Sequence, residues 1–161
     1  MAKIKDKFLE TAPGGGSDVT VFKSSDQTTQ SSSYVDDSDI EVNYDANGIY
    51  KIELLVLGAC RGNNVNLLIV QLTTSNNCSM SYKTARGLFY DNPILYDNVG
   101  ETTNTTNHAI PMGRNGNCVS LAHGIFFAGT SDGSMKLQFR SVPNNENVTI
   151  KKGTYLTMQK L

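Results

Sequence analysis

The chain has 161 residues, a formal net charge of −1 and a hydrophobic content of 39%. Charged residues make up only 18%, below the roughly 25% of an average soluble protein, and the short polar residues Asn, Ser and Thr are abundant instead. The length suits one domain, and the composition excludes a coiled coil, a transmembrane protein and a disordered chain. Because the few basic residues are scattered, nothing in the charge pattern indicates nucleic-acid binding.

The first 18 residues differ from the rest of the chain. Ile4, Phe8 and Leu9 lie among charged residues at a loosely helical spacing, and Pro13-Gly14-Gly15-Gly16-Ser17 then breaks the pattern. Two interpretations stay open, a short amphipathic arm on a flexible hinge and a disordered terminus. This stretch has no apolar run long enough for a signal peptide, so we expect synthesis in a reducing cytoplasm.

From Val19 onward the apolar residues follow a period of two, which is typical of strands. Asp45-Ala46-Asn47-Gly48 is predicted to form a hairpin turn, because Asn-Gly readily takes the positive φ that such turns need. Residues 86–117 are predicted to be irregular. Short strands with turn residues between them predict an all-β sandwich or barrel, with strands over residues 18–22, 40–44, 49–58, 65–74, 78–84, 119–129, 134–142, 147–150 and 154–161.

The strands also predict which surfaces are covered. Residues 134–142 alternate, with Met135, Leu137 and Phe139 facing the core. Residues 49–58 and 65–73 are instead apolar on both faces, and such strands need cover on both. Since no helix is predicted, the cover is expected to be a second copy of the chain, and the candidate subunit contacts are Val56, Leu57, Val70 and Leu72.

No catalytic, cofactor or metal motif is present in the sequence. His123 has the strand parity of Val119, Leu121, Ile125 and Phe127, so it is predicted to be packed or inter-subunit rather than a ligand or base. His108 is predicted to lie in a polar loop. The cluster Asp36, Asp37 and Asp39 is predicted to be a solvated turn before a strand, with a calcium ion as the alternative.

Three cysteines, Cys60, Cys78 and Cys118, are widely spaced, and none belongs to a CxxC pair. An odd count at such spacing does not describe a disulfide framework or a zinc site. Each lies at a strand end, where a small buried hydrophobe is the usual role. We predict three free structural thiols.

Several motifs nevertheless resemble a known family. The run VFKSSDQTTQSSSYVDDSDIEVNYDANGIYKIEL at residues 21–54 is similar to the opening of a jelly-roll domain found in virion proteins of tailed phages. The segment CVSLAHGIFFAGTSDGSMKLQF at 118–139 is similar to the strand–glycine–turn–strand part of that domain, and NVTIKKGTYLTMQKL at 147–161 resembles its terminal strand. The resemblance covers residues 19–161, and the central part, 75–117, matches only loosely.

The resemblance implies an antiparallel jelly-roll β-sandwich of the tumour-necrosis-factor-like type, usually a homotrimer, over residues 19–161, after an N-terminal arm and Gly-rich hinge at 1–18. It implies no enzyme and no cofactor. Because only a short arm precedes the predicted domain, we expect a capsid decoration (cement) protein on the surface of a phage head, whose partners are its own copies and the major capsid protein or another virion protein. Ile4, Phe8 and Leu9 are the candidate anchoring residues.

Two other functions stay open from the sequence. One is a tail-fibre or fibre-tip adhesin that binds a host-surface glycan or protein. The other is a small carbohydrate-active enzyme, although no catalytic constellation is visible. Neither alternative predicts contact with nucleic acid or a membrane.

Overall fold

A computed structural model describes residues 18–60, 67–88, 98–110, 116–142 and 146–161. Within these ranges the protein is all-β, and every strand pair is antiparallel. The strands are β1 (Val19–Phe22), β2 (Gln27–Thr29), β3 (Val35–Tyr44), β4 (Ile49–Cys60), β5 (Leu67–Leu88), β6 (Asn98–Ile110), β7 (Gly116–Phe127), β8 (Gly133–Val142), β9 (Val148–Ile150) and β10 (Tyr155–Lys160).

The strands join in the order β1-β10-β4-β7-β5-β8-β3, while β6 adds to β5, and β9 lies between β2 and β4. The connection between the two halves of this sheet is β5, which is 22 residues long. Its first part, Leu67–Thr74, pairs with β8, and its second part, Ser79–Leu88, pairs with β7. One strand therefore belongs to both halves, and the sheet turns a corner between them.

The turn at Asp45–Gly48 is part of this corner and does not close a hairpin. The predicted local conformation is confirmed, since Asn47 has a φ of 56° and Gly48 N donates to Asp45 O at 3.2 Å. The predicted pairing is wrong, because β3 pairs with β8 whereas β4 pairs with β7, β9 and β10. Turn residues specify the direction of the backbone, but they do not specify whether the flanking strands pair or pass around a corner.

The core lies between the two halves of the sheet. As predicted, Met135, Leu137 and Phe139 of β8 are fully buried. Phe126 of β7 lies at the centre of an aromatic cluster, with its ring centroid 5.1 Å from that of Tyr44 and 6.1 Å from that of Tyr50. Edge-to-face and tilted rings at such distances add about 1 kcal/mol each to the burial of their area.

Two further expectations about the strands are corrected. Residues 98–110, predicted to be irregular, form β6, which pairs with β5 along its length apart from two register shifts. The predicted turn at Ser75–Asn77 lies inside β5. Both segments are rich in Asn, Ser and Thr, which resemble loop residues in a sequence. Most of β6 pairs with β5, whereas Ser75–Asn77 lies at a register shift, where β5 changes its partner from β8 to β7.

Candidate interaction face

The side chains that β1, β10, β4 and β7 point away from the core form a surface that we call the outer face. One cross-strand row runs through Phe22, Tyr155, Leu55 and Leu121, each opposite the next in register. Phe22 is 62% exposed, and its ring centroid lies 5.7 Å from that of Tyr155. The row is apolar across four strands, which is unusual for a sheet surface left in water.

Two more apolar rows lie above and below this one. Leu57 is opposite Val119, and Ile49 is opposite Phe127. Ile49 and Phe127 are 44% and 42% exposed, and the other two are half-buried. Leu57 and Val119 adjoin the first row, whereas the rows of Glu53 and Lys51 separate that row from Ile49 and Phe127. Clustered apolar residues on a sheet surface are typical of a protein–protein contact.

A polar row crosses the outer face between the apolar ones. Glu53 is opposite His123 on one side and Thr157 on the other, and Lys83 of β5 is opposite His123. Tyr155 Oη donates to Glu53 Oε1 at 2.5 Å, and this hydrogen bond raises the pKa of the tyrosine. The row gives the outer face charged groups of both signs, which could fix the register of a partner.

In the other half of the sheet, the side chains that β3, β8, β5 and β6 point away from the core form a polar surface. Gln138 donates through Nε2 to Asp36 Oδ1 at 2.6 Å. Gln71 donates to Gln138 Oε1 at 2.7 Å and to Asn107 Oδ1 at 3.2 Å. Lys136 contacts the carboxylates of Asp36 and Glu41 at 3.6 and 3.5 Å. These groups satisfy one another across four strands, so this surface has no need of a partner.

The predicted subunit contacts divide between core and surface. Val56, Val70 and Leu72 are fully buried, so the chain itself covers these three side chains. Leu57 lies on the outer face, half-buried. Strand parity grouped the residues correctly but could not say which group faced inward. The arm candidates Ile4, Phe8 and Leu9 lie outside the described residues.

The structure corrects the prediction for His108, whereas for His123 it excludes packing within the chain and leaves the inter-subunit position a prediction. His123 does share a face with Leu121 and Ile125, but it is exposed on the outer face, because β7 turns its smaller side chains (Cys118, Ser120 and Ala122) toward the core. His108 is fully buried, with its ring edge-to-face on Phe126 at 6.4 Å. Burial lowers the pKa of His108 from 6.5 to about 4.

The acidic cluster is not a solvated turn. It lies within β3, and Asp37 Oδ2 contacts Lys23 Nζ at 2.8 Å, with both side chains fully buried. Gln27 binds the same ammonium group and also accepts a hydrogen bond from Ser38 N. Among the described residues, no group of His, Cys, Asp or Glu could hold a metal ion. No sequence pattern predicts that Lys23 is buried, since a single lysine beside polar residues is typical of a surface.

A second surface feature is a cleft of about 590 Å³ at one end of the sheet, bordered by polar side chains. Lys151 Nζ donates to Asn117 Oδ1 at 2.5 Å, and the hydroxyls of Thr28 and Thr149 are 2.8 Å apart. Asp26 accepts a hydrogen bond from Lys152 N at 2.7 Å. These groups bind one another, and no aromatic ring borders the cleft among the described residues. The outer face is therefore the stronger candidate site.

All three cysteines are buried free thiols, as predicted. The described residues include no helix long and apolar enough to cross a membrane. Comparisons with protein-family models, curated proteins and solved structures found no match. The class that the fold defines is thus an all-β protein with a continuous antiparallel sheet.

Proposed function

We propose that this chain is a non-enzymatic virion structural protein, a homotrimeric jelly roll of the tumour-necrosis-factor-like type that decorates the surface of a phage head. The resemblance in the sequence suggests the virion role. The observation that carries the proposal is the contrast between two surfaces. The outer face leaves apolar rows exposed, whereas the polar side chains on β3, β8, β5 and β6 bind one another. A folded chain that leaves Phe22, Ile49 and Phe127 exposed gains from covering them with another subunit.

The residues behind the resemblance also support a structural role. Lys23, Gln27 and Asp37 belong to one buried network that connects the β1–β2 segment to β3. A motif buried in this way specifies how the fold is assembled, not the chemistry of a substrate. This fits a family defined by its architecture, in which the function depends on what the assembled particle contacts.

The trimer is tested by sedimentation of the purified protein at micromolar concentration. We expect one trimeric species for the natural chain, and a folded monomer for Leu121→Lys, because an unpaired charge buried in the contact costs several kcal/mol. The matched control is Asn43→Lys, which places the same charge at an exposed position of β3 and should leave the trimer intact. A natural chain that sediments as a monomer would contradict the trimer.

The head location is tested by mixing the purified protein with capsids that lack it. Decoration predicts saturable binding, with copy numbers by gel densitometry in the tens to hundreds, since a symmetric lattice repeats its sites. Failure to bind capsids, together with inhibition of infection by the free protein, would support the adhesin alternative instead.

A further inference from the structure

The pair Lys23 and Asp37 stands apart from every other ion pair that the structure describes. Its Nζ–Oδ2 distance is 2.8 Å, and the exposed fraction of both side chains is 0%. Apart from the longer contact of Lys23 with Asp39, the other described pairs involve Lys136 and Lys160, whose side chains are more than a third exposed. We propose that Lys23 and Asp37 condense to an intramolecular isopeptide bond, with Asp39 as the residue that transfers the protons.

Burial favours the product of the reaction. An ammonium group and a carboxylate are unreactive toward each other, whereas a neutral amine attacks a neutral carboxylic acid. Condensation removes both charges, and since keeping two charges out of water is costly, burial favours the neutral amide product over the ion pair. The same burial prevents hydrolysis of the product by excluding water.

The amine is fixed against its target. The main chain of Lys23 is held on both sides, since its N–H donates to Thr154 O at 2.7 Å and its carbonyl accepts from Gly153 N at 3.1 Å. Its Nζ also donates to Gln27 Oε1 at 3.2 Å. Reactants held in contact in this way have effective concentrations orders of magnitude above those in solution.

The second oxygen of Asp37 is placed to carry the charge of the intermediate. Asp37 Oδ1 accepts hydrogen bonds from the main-chain N–H groups of Asp39 at 3.0 Å and Ile40 at 3.1 Å. When Nζ attacks Cγ, negative charge develops on this oxygen, and the two N–H groups stabilise it as an oxyanion hole does. The other oxygen, Oδ2, faces the amine and becomes the leaving group.

Asp39 is the nearby proton carrier. Its Oδ2 lies 3.9 Å from Lys23 Nζ, and the hydrogen bond from Ser24 N is the main reason that its pKa is lowered. Asp39 therefore stays a carboxylate that accepts a proton from the attacking nitrogen and passes it to the departing oxygen. The Cγ–Oδ2 bond breaks, a Cγ–Nζ amide bond forms and one water leaves, so the step needs no oxidant, reductant or cofactor.

The bond would fasten an edge of the sheet. Among the described strands β1 pairs only with β10, and edge strands of four residues fray readily. A covalent link from Lys23 to Asp37 closes a loop between the end of β1 and β3. It thus prevents β1 from separating without the rest of the domain.

Peptide mass spectrometry of the full-length folded protein tests the proposal. Trypsin should cut after Lys7 and Lys51 but not after an acylated Lys23, giving one peptide of residues 8–51 that is lighter by the mass of one water, about 18 Da. Fragmentation of this peptide should yield no backbone ions between Lys23 and Asp37.

Three variants make the result specific. Lys23→Met should abolish the mass loss, and Asp39→Asn should slow its appearance at least tenfold. Lys136→Met, which removes an exposed ion pair, should keep it. Quantitative cleavage after Lys23 in the natural protein, even after days of incubation in the folded state, would overturn the proposal, and an unchanged rate in Asp39→Asn would overturn the role of Asp39.

Discussion

At the scale of single residues, His108 makes stability depend on pH. Its pKa is about 4 in the folded protein and 6.5 as the ordinary value, because burial disfavours the imidazolium. Between these values the unfolded chain binds more protons than the folded one, so stability falls as the pH falls. The loss of stability begins as the pH falls through 6.5 and reaches roughly 3 kcal/mol at pH 4.

We therefore expect the free energy of unfolding in urea to decrease between pH 6.5 and 5 in the natural chain. His108→Leu should flatten this slope, whatever it does to absolute stability. Asn43→Gln, at an exposed position of β3 away from the outer face, is the control and should leave the slope as it is. An equal slope in the natural chain and His108→Leu would contradict the assignment to His108.

A second residue-scale prediction concerns Gly124. A Cβ atom at this position would lie 2.1 Å from Ser81 O and 2.7 Å from Tyr82 Cα, and these are backbone atoms of the paired strand β5 that cannot move aside. Gly124→Ala should lower the free energy of unfolding by about 3 kcal/mol. At Gly116 nothing lies within 4 Å and φ is +71°, so Gly116→Ala should cost only about 1 kcal/mol. Urea denaturation at constant pH compares the two, and equal losses would argue against the close approach of β5 and β7.

At the scale of elements, the corner between the two halves of the sheet depends on a few specific contacts. Asn47 N donates to Gly129 O at 2.7 Å and Ala128 N donates to Gly48 O at 2.9 Å, which connects the β3–β4 turn to the β7–β8 turn. The Asp132 side chain accepts from Ala46 N at 2.7 Å. The two turns thus form one unit.

Asn47 tests the corner directly, since its φ of 56° is left-handed. Asn47→Ala should destabilise the protein by about 1 kcal/mol, whereas Asn47→Gly should be nearly neutral because glycine adopts this conformation without strain. Thermal unfolding separates the two variants. If both lower the midpoint equally, the asparagine side chain and not its backbone conformation matters at this position.

The corner also shows what a sequence can and cannot predict. Alternation in β8 identified its inward residues, because a half-buried strand has only one apolar face. In β7 the larger aliphatic residues point outward. Phe126 packs against Tyr44 and Tyr50 in the core, and the space that remains beside these rings accepts only small inward residues of β7. Which face is inner depends on side chains from distant strands, and no local pattern contains that information.

The candidate sites were likewise predictable from the sequence only in part. The excess of apolar residues in β4 is visible in the sequence, and it led to the expectation of a covered outer surface. The ion pair between Lys23 and Asp37 is not visible, because its burial depends on β2, β3 and the Gly153–Thr154 backbone meeting around one lysine. Long-range packing creates that environment.

At the scale of the whole molecule, the stretch Pro13-Gly14-Gly15-Gly16-Ser17 separates the residues before it from the strands that begin at Val19. Residues 1–18 are therefore predicted to be dispensable for folding and needed for attachment. Ile4, Phe8 and Leu9 could each contribute about 2 kcal/mol when buried against a partner, less the cost of ordering the arm. In a trimer three such arms act together, so modest single contacts become stable attachment.

A chain that begins at Asp18 tests this prediction. It should keep the unfolding midpoint and sedimentation of the full chain within error, while its occupancy on capsids lacking the protein should fall at least tenfold. The full chain with Ile4, Phe8 and Leu9 replaced by Ser is the matched variant, because it keeps the length and charge of the arm and should lose most of the occupancy that the arm provides. Lys3, Lys5 and Lys7 would add an attraction that salt screens, so residual binding should fall further as ionic strength rises. Unchanged occupancy of both variants would assign the capsid contact to the sheet surface itself.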